Sequence, residues 1–224
     1  MKRVTLWSLT AAAASALACA SFGCGGASDR TLQNFVDPTP RAVASEAEQV
    51  RPLREGDWAP AVTFLDADGQ AVSLAEVAED RPVALVFYRG GWCPYCNRHL
   101  SALQTVHDEL SELGLALLAV SPDRPERLPE TAAKNEVGYR LLSDSKLWAA
   151  RSFGLVFQMP RERVTQYREQ YNIDLEAWSG QEHHQLPVPA VYLIDRNGRI
   201  EFAHNDPDYK QRLDPDRLLA EARE

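Results

Sequence analysis

The stretch from Arg81 to Val120 leaves this chain few folds to choose from. It opens with RPVALVFY (Arg81–Tyr88), a continuous apolar run of strand length, and closes with a second one, LALLAV (Leu115–Val120). Uninterrupted runs of this kind suit strands covered on both faces of a sheet. Between them, counted from Cys96, apolar residues recur at Leu100, Leu103, Val106, Leu110 and Leu113, which is helical spacing, and Gly114 supplies a stop. Strand, helix, strand predicts a βαβ unit with a right-handed crossover and a parallel strand pair.

The flanking segments extend that unit. AVTFLDADGQAVSL (Ala61–Leu74) is two short β-type runs around Asp68-Gly69, a hairpin signal. After Val120 the proline-rich SPDRPERLP reads as a turn, followed by a helix over Pro129–Glu136, a strand over Tyr139–Leu142 and a helix over Ser145–Phe153. Residues Leu155–Gln185 have no clean period and read as an insertion carrying a helix near Arg161–Tyr171. VPAVYLIDRNGRIEFAH (Val188–His204) is strand, Asn197-Gly198 turn, strand, and Asp214–Arg223 closes the chain as a helix. The predicted architecture is α/β: a mixed central sheet, parallel in the middle and antiparallel at the end, flanked by helices.

The N-terminal end has a different character. MKRVTLWSLTAAAASALACASFGCGG has a basic start, an apolar stretch from Val4 to about Ala20 and then small residues, with Ala18-Cys19-Ala20 as a small-x-small cleavage site. ALAC and SFGC loosely resemble the lipobox of bacterial lipoproteins, although neither has the usual Leu three places before the cysteine. We therefore read residues 1–26 as a signal peptide or lipoprotein leader, 27–52 as a flexible tether with one short helix over Ala42–Val50, and 53–224 as the folded domain. The expected location is exported: periplasmic, or attached to a membrane through a lipidated N-terminus. On either processing scheme the folded domain holds two free cysteines, Cys93 and Cys96. With 24 basic against 32 acidic residues and a net charge of −8, the chain is poorly suited to nucleic acid, whose backbone demands a basic patch.

The chemistry concentrates in FYRGGWCPYCNRHL (Phe87–Leu100). A structural zinc site needs four ligands, and the only extra candidates are the adjacent pair His183-His184, read as exposed insertion residues, and His99 and His107, read as surface or packing residues. No metal and no organic cofactor are expected. A disulfide across two residues closes a tiny loop and so removes little unfolded-state entropy; it makes a poor staple and a good switch. Cys93 falls at the start of a helix, where unpaired N–H groups and the macrodipole favour a thiolate. Cys96, one turn on, is near enough to attack a mixed disulfide or sulfenic acid on Cys93. Pro94 suits the first helical position, and Trp92 can shield the site.

Strand, WCPYC, helix, strand and a distant proline resemble the thioredoxin fold. The resemblance implies that Pro189, or less favourably Pro187, faces the cysteine pair and holds the backbone of Val188 open for an extended substrate. Cys93-Pro94-Tyr95-Cys96 is also the tetrapeptide of glutaredoxins. A closer match covers most of residues 53–216: REGDWAPAVTFLDADGQAVSL, VALVFYRGGWCPYCNRHL and LPVPAVYLIDRNGRIEFAHNDPDY resemble the peroxiredoxin-like branch of the alkyl hydroperoxide reductase/thiol-specific antioxidant superfamily. That branch implies a thioredoxin-like domain and a thiol peroxidase. The departures matter. In the peroxiredoxin register Arg89 stands in place of a proline, Cys93 in place of a threonine, Cys96 at the peroxidatic cysteine and Pro189 near the place of a distant arginine. In the thioredoxin register Cys93 is the attacking thiol and Cys96 the resolver.

The expected function is thus a thiol-dependent antioxidant oxidoreductase that reduces peroxides through a reversible Cys93–Cys96 disulfide. An external thiol donor, thioredoxin-like or membrane-linked, would recycle it. Arg89, Trp92, Pro94, Tyr95 and Pro189 are the expected supporting residues. A disulfide reductase without peroxidase activity is the alternative reading of the same residues. A copper-handling thioredoxin-fold protein is a third, although its cysteines would be separated by three residues rather than two. The Leu155–Gln185 insertion is expected to border the site, and the segment Asp206, Asp208, Tyr209 and Arg212 matches the family without declaring a role.

Overall fold

The computed structural model describes residues 34–224. The leader expected over residues 1–26, with Cys19 and Cys24, and the first residues of the expected tether lie outside the described residues.

Seven strands form one sheet. They are β1 (Thr63–Leu65), β2 (Ala71–Ser73), β3 (Val83–Phe87), β4 (Ala116–Ser121), β5 (Arg140–Ser143), β8 (Ala190–Ile194) and β9 (Ile200–Asn205), in the order β2-β1-β5-β4-β3-β8-β9. β3 pairs in parallel with β4, and β4 with β5, while β8 runs antiparallel to β3 and β9 antiparallel to β8. The predicted mixed sheet is the one observed. Both hairpins form where the Asp-Gly and Asn-Gly signals lie, with Gly69 and Gly198 at positive φ. At Gly198 a side chain is barred twice over, because an added Cβ would also meet the ring of Phe35.

β3 shows why the apolar runs are unbroken: all five residues are buried. Their two-residue period sends Val83, Leu85 and Phe87 into one core layer, with Phe64, Leu118, Tyr192 and Phe153. It sends Ala84 and Val86 into the other, beneath α2 (Pro94–Gln104), α3 (His107–Glu112), α4 (Leu128–Asn135) and α8 (Pro215–Glu221), whose Leu100, Leu103, Leu110, Leu128 and Leu218 fill it. The remaining helices are α1 (Leu74–Asp80), α5 (Trp148–Ser152), α6 (Arg161–Tyr171) and α7 (Leu175–Ser179).

The single helix expected from Cys96 to Leu113 is two helices. The Thr105 hydroxyl donates to the Ala102 carbonyl at 2.7 Å, and Val106 leaves the helical region at ψ 0°. Two β-branched residues in succession, one with a hydroxyl that competes for a helix carbonyl, break the ladder there. The apolar stripe survives the break, since Val106 and Leu110 remain buried. The insertion carries α6 where expected, and beside it β6 (Val156–Gln158) and β7 (Gln185–Pro187) pair as a second, two-stranded sheet.

The larger correction concerns residues 34–52, which do not hang free as a tether. They run as a strap across the domain. Ala44 donates to Val156 O at 3.0 Å and accepts from Gln158 N at 2.8 Å, Arg51 donates to Gly154 O at 3.1 Å, and Phe35 is buried against the Gly198 turn. The helix expected over Ala42–Val50 shrinks to a 3-10 turn, Ala47–Gln49. Small, polar and proline-rich composition correctly foretold irregular backbone. It could not foretell docking, because the contacts are made chiefly by main-chain N–H and C=O groups, which every residue carries.

Candidate active site

The two cysteines sit at the first turn of α2, where β3 delivers the chain. Cys93 is the N-cap residue in extended conformation and Pro94 occupies the first turn, as expected. Both thiols are free and buried, with Cys93 1% and Cys96 0% exposed.

The loop between β3 and α2 is held from both sides. Gly91 N–H donates to Asp123 Oδ2 at 2.7 Å, and Gly91 O accepts from Asn97 Nδ2 at 2.8 Å. Asn97 accepts in turn from Asn135 Nδ2 at 3.1 Å, tying the loop to α4. Glycine is obligatory at both loop positions. Gly90 has a φ of +145° and lies against the indole of Trp92, and Gly91 packs on the side chain of Thr131. Asp123 also accepts from the Ser121 hydroxyl at 3.0 Å, while its Oδ1 has no partner among the described residues. Burial pushes its carboxyl up to about 7.

Three residues apart, the two sulfurs have opposite acidities. Cys93 is pulled down to about 6, first by the hydrogen bond its thiolate accepts from the Cys96 thiol; burial opposes this, and the charge of Arg89 adds to it. Burial drives Cys96 well above the ordinary thiol range, and the neighbouring Cys93 drives it further. Near neutral pH the pair is therefore a Cys93 thiolate beside a Cys96 thiol.

Arg89 is 3% exposed. Its Nη2 donates to the Tyr167 hydroxyl at 2.7 Å, and its guanidinium lies 4.0 Å from the centre of the Tyr209 ring, with Trp92 at 5.1 Å and Tyr167 at 5.8 Å. Burial works against its charge, but the Tyr167 hydroxyl and the two sulfurs outweigh it, so the guanidinium stays protonated. A desolvated cation among three rings is held in place more firmly than one in water. Trp92 packs edge-on against Tyr167 and Tyr95 against Tyr209.

The cysteine end of α2 opens into a cleft of about 1050 Å³. Cys93 is on its floor with Arg89, Trp92, Pro94 and Tyr95, and Cys96 is not part of its lining. Its walls are α6, the β6–β7 ribbon, the strap at Ser45–Glu48, and Pro207–Lys210. The insertion therefore does border the site. Pro189 and Pro187, the two candidates for the proline facing the cysteines, both line the cleft that Cys93 also lines. Val188 corrects the expectation attached to it. Its N–H is donated to Leu155 O at 2.9 Å, so that donor is already spent within the chain and cannot pair with an extended substrate.

The histidines have structural work. His99 is buried, its Nε2–H donating to Leu213 O at 3.1 Å, and burial pulls it down to about 4, so it is neutral. His183 and His184, expected to be exposed, are half-buried: His183 Nε2 meets Ser145 O at 3.0 Å and His184 Nε2 meets Glu176 Oε1 at 2.7 Å. Among the described residues no group of three or more His, Cys, Asp or Glu side chains is placed to hold a metal ion.

Four side chains of the site escaped sequence reasoning as functional residues: Asp123, Tyr167, Tyr209 and Arg212, whose Nη2 reaches Cys96 Sγ at 3.5 Å. Tyr209 and Arg212 had a signal in the family-like segment after β9. Tyr167 had none, for nothing in an aperiodic insertion marks which tyrosine turns inward.

Comparison with known proteins identifies the family and the fold. Residues 56–203 match the model of the AhpC/TSA family. Over 106 residues the chain is 34% identical to Peroxiredoxin Bcp of Escherichia coli (strain K12), covering 47% of this chain and 67% of that one. Among solved structures, the peroxidoxin BcpB of Mycobacterium tuberculosis superposes with a TM-score of 0.59 at 19% identity, over 76% of this chain and 97% of that one. A reduced Prx3 from Vibrio vulnificus, in complex with H2O2, superposes with a TM-score of 0.61 at 17% identity, over 76% and 99% of the two chains.

Proposed function

The chain belongs to the AhpC/TSA family, and from that premise we propose that it is a thiol-dependent peroxidase in which Cys93 is struck by peroxide and Cys96 resolves. One observation carries this division. Cys93 has an acidity near 6 and faces the cleft, whereas Cys96 is sealed behind it with its proton retained.

The Cys93 thiolate attacks one oxygen of a hydroperoxide. An S–O bond forms, the O–O bond breaks, and the departing alkoxide leaves as alcohol after taking a proton, giving a sulfenic acid. Arg89 supplies the buried positive charge beside the attacking sulfur and the oxygen on which charge develops. Cys96 then attacks the Cys93 sulfur, the S–S bond forms, and hydroxide departs as water with the Cys96 proton. An external thiol donor, thioredoxin-like or membrane-linked, returns the disulfide to two thiols.

A cleft of about 1050 Å³ lies at the upper end of ordinary small-molecule sites, roughly 300–1,000 Å³. Its size supports organic hydroperoxides as substrates as well as hydrogen peroxide. It also favours a second reading, disulfide exchange with a protein substrate, against which the committed Val188 N–H counts. Export rests on the basic and then apolar N-terminal start, and membrane attachment on a lipidated Cys19 or Cys24.

The deciding experiment follows Trp92 fluorescence as the reduced domain is mixed with hydrogen peroxide or cumene hydroperoxide, with free cysteine as the reference. Oxidation far faster than the reference, and lost in the Cys93→Ser, Cys96→Ser double variant, supports the peroxidase. A rate near the reference, together with a mixed disulfide trapped on a Cys96→Ser variant, would put disulfide exchange in its place.

A further inference from the structure

We propose that Arg212 is the cation dedicated to Cys96, serving the formation and the reduction of the Cys93–Cys96 disulfide rather than the attack on peroxide. The inference deepens the peroxidase reading and rests on its assignment of Cys96 as the resolving thiol.

Arg212 comes from the loop between β9 and α8, far along the chain from the cysteines. Its Nη2 reaches Cys96 Sγ at 3.5 Å, and its Nη1 donates to Gln211 O at 2.8 Å. Its Nε is buried without a partner, and no carboxylate pairs with it among the described residues. Arginines elsewhere in the domain pair with carboxylates, as Arg127 does with Glu130 at 3.1 Å and Arg223 with Glu109 at 2.7 Å, or donate to carbonyls, as Arg196 does to Glu79 O at 2.8 Å. This one directs its charge at a sulfur. The arrangement is anchored, because the buried His99 on α2 donates to the carbonyl of Leu213, the next residue, and so fixes the loop against the helix that carries Cys96.

The chemistry requires such a charge at a particular moment. While Cys93 is a thiolate, its negative charge and the burial of Cys96 both keep the Cys96 proton in place. Once peroxide has turned Cys93 into a neutral sulfenic acid, that repulsion is gone and Cys96 must itself become the nucleophile. Of the cations that favour its thiolate, Arg212 acts more strongly than Arg89. In the reverse direction an incoming thiolate attacks Cys93 from the cleft, the S–S bond breaks, and Cys96 departs as a thiolate. A cation that lowers the leaving thiol's basicity speeds that departure. Arg89 and Arg212 thus divide the cycle, one beside each sulfur.

The test separates the steps. In an Arg212→Gln variant the oxidation of Cys93 should slow by no more than about threefold, while conversion of sulfenic acid to disulfide slows about tenfold or more. Dimedone should then label Cys93 in the variant, and Arg212→Lys should recover much of the lost rate by restoring charge. A second measurement needs no peroxide: reduction of the preformed disulfide by dithiothreitol should slow about tenfold in Arg212→Gln and much less in Arg212→Lys. Unchanged disulfide formation and reduction in Arg212→Gln would overturn the inference, as would equal losses in the Lys and Gln variants. Failure of wild-type Cys93 to react with peroxide would overturn the peroxidase reading alone, since the dithiothreitol arm reports on Arg212 either way.

Discussion

The two sides of the first turn of α2 carry the same side chain and behave as opposites. On the cleft side, Cys93 caps the helix, borders the cleft and has an acidity near 6. On the core side, Cys96 is wholly buried among Leu100, Leu103 and the strands, and that burial raises its thiol well above the ordinary value. The contrast teaches that neither burial nor a nearby arginine alone activates a thiol. Both cysteines are buried and both feel Arg89 and Arg212. What separates them is the complete burial of Cys96, which raises it most, and the hydrogen bond between the thiols, which raises Cys96 as it lowers Cys93.

Substituting each cysteine in turn is the bluntest way to break this comparison. Cys93→Ser should reduce peroxide turnover by about a thousandfold or more, because it removes the nucleophile itself. Cys96→Ser should leave a single round of Cys93 oxidation and stop before the disulfide. Quench-flow with mass analysis distinguishes the two, and peroxide oxidation of Cys96 in the Cys93→Ser variant at a comparable rate would reverse the roles.

Removing the cation on the cleft side comes next. Arg89→Met takes away both the charge that lowers Cys93 and the donor to Tyr167, and should slow oxidation at pH 7 by about 10- to 100-fold. Thiolate absorbance near 240 nm would show the Cys93 titration moving above 6.

The pH profile sharpens the same contrast without mutation. A thiol with a value of about 6 is mostly thiolate at pH 7 and mostly protonated at pH 5, so the oxidation rate should fall about tenfold across that interval and stay flat above it. A profile still rising at pH 8 would mean that the reacting sulfur is the less acidic one.

The smallest effect is expected at Tyr167. Tyr167→Phe deletes only the hydroxyl that accepts from Arg89 at 2.7 Å, leaving the ring contacts in place. The loss should be only a few-fold in the oxidation rate, less than the roughly 1.5–3 kcal/mol of a charged hydrogen bond would give in full, because the charge of Arg89 itself stays beside the sulfur. A loss as large as that of Arg89→Met would show that the arginine cannot hold its place without this bond.

The sequence was most legible where a periodic pattern met a specific turn residue. The apolar runs at Val83–Phe87 and Ala116–Ser121, the glycine turns at Gly69 and Gly198, and Pro94 after Cys93 each narrow the local backbone to one conformation, and the observed elements lie within a few residues of those expected. Local pattern misled at Thr105-Val106, where the apolar stripe ran on but the backbone did not. It misled again at residues 34–52, whose docking rests on main-chain groups that side-chain composition cannot reveal.

By itself, then, the sequence determined that this chain folds as a mixed α/β sheet with a reactive cysteine pair at a helix start, because strand and helix periodicities, glycine turns and an N-terminal proline act over a few neighbouring residues. Which sulfur is the more acidic was decided only in three dimensions. The two registers gave opposite answers, and the groups that choose between them come from positions scattered along the chain: Arg89 beside the motif, Asp123 after β4, Tyr167 within the insertion, Tyr209 and Arg212 near the end. Acidity depends on burial and on charges summed over space. Spacing along a chain does not encode those distances until the sheet has brought its strand ends together.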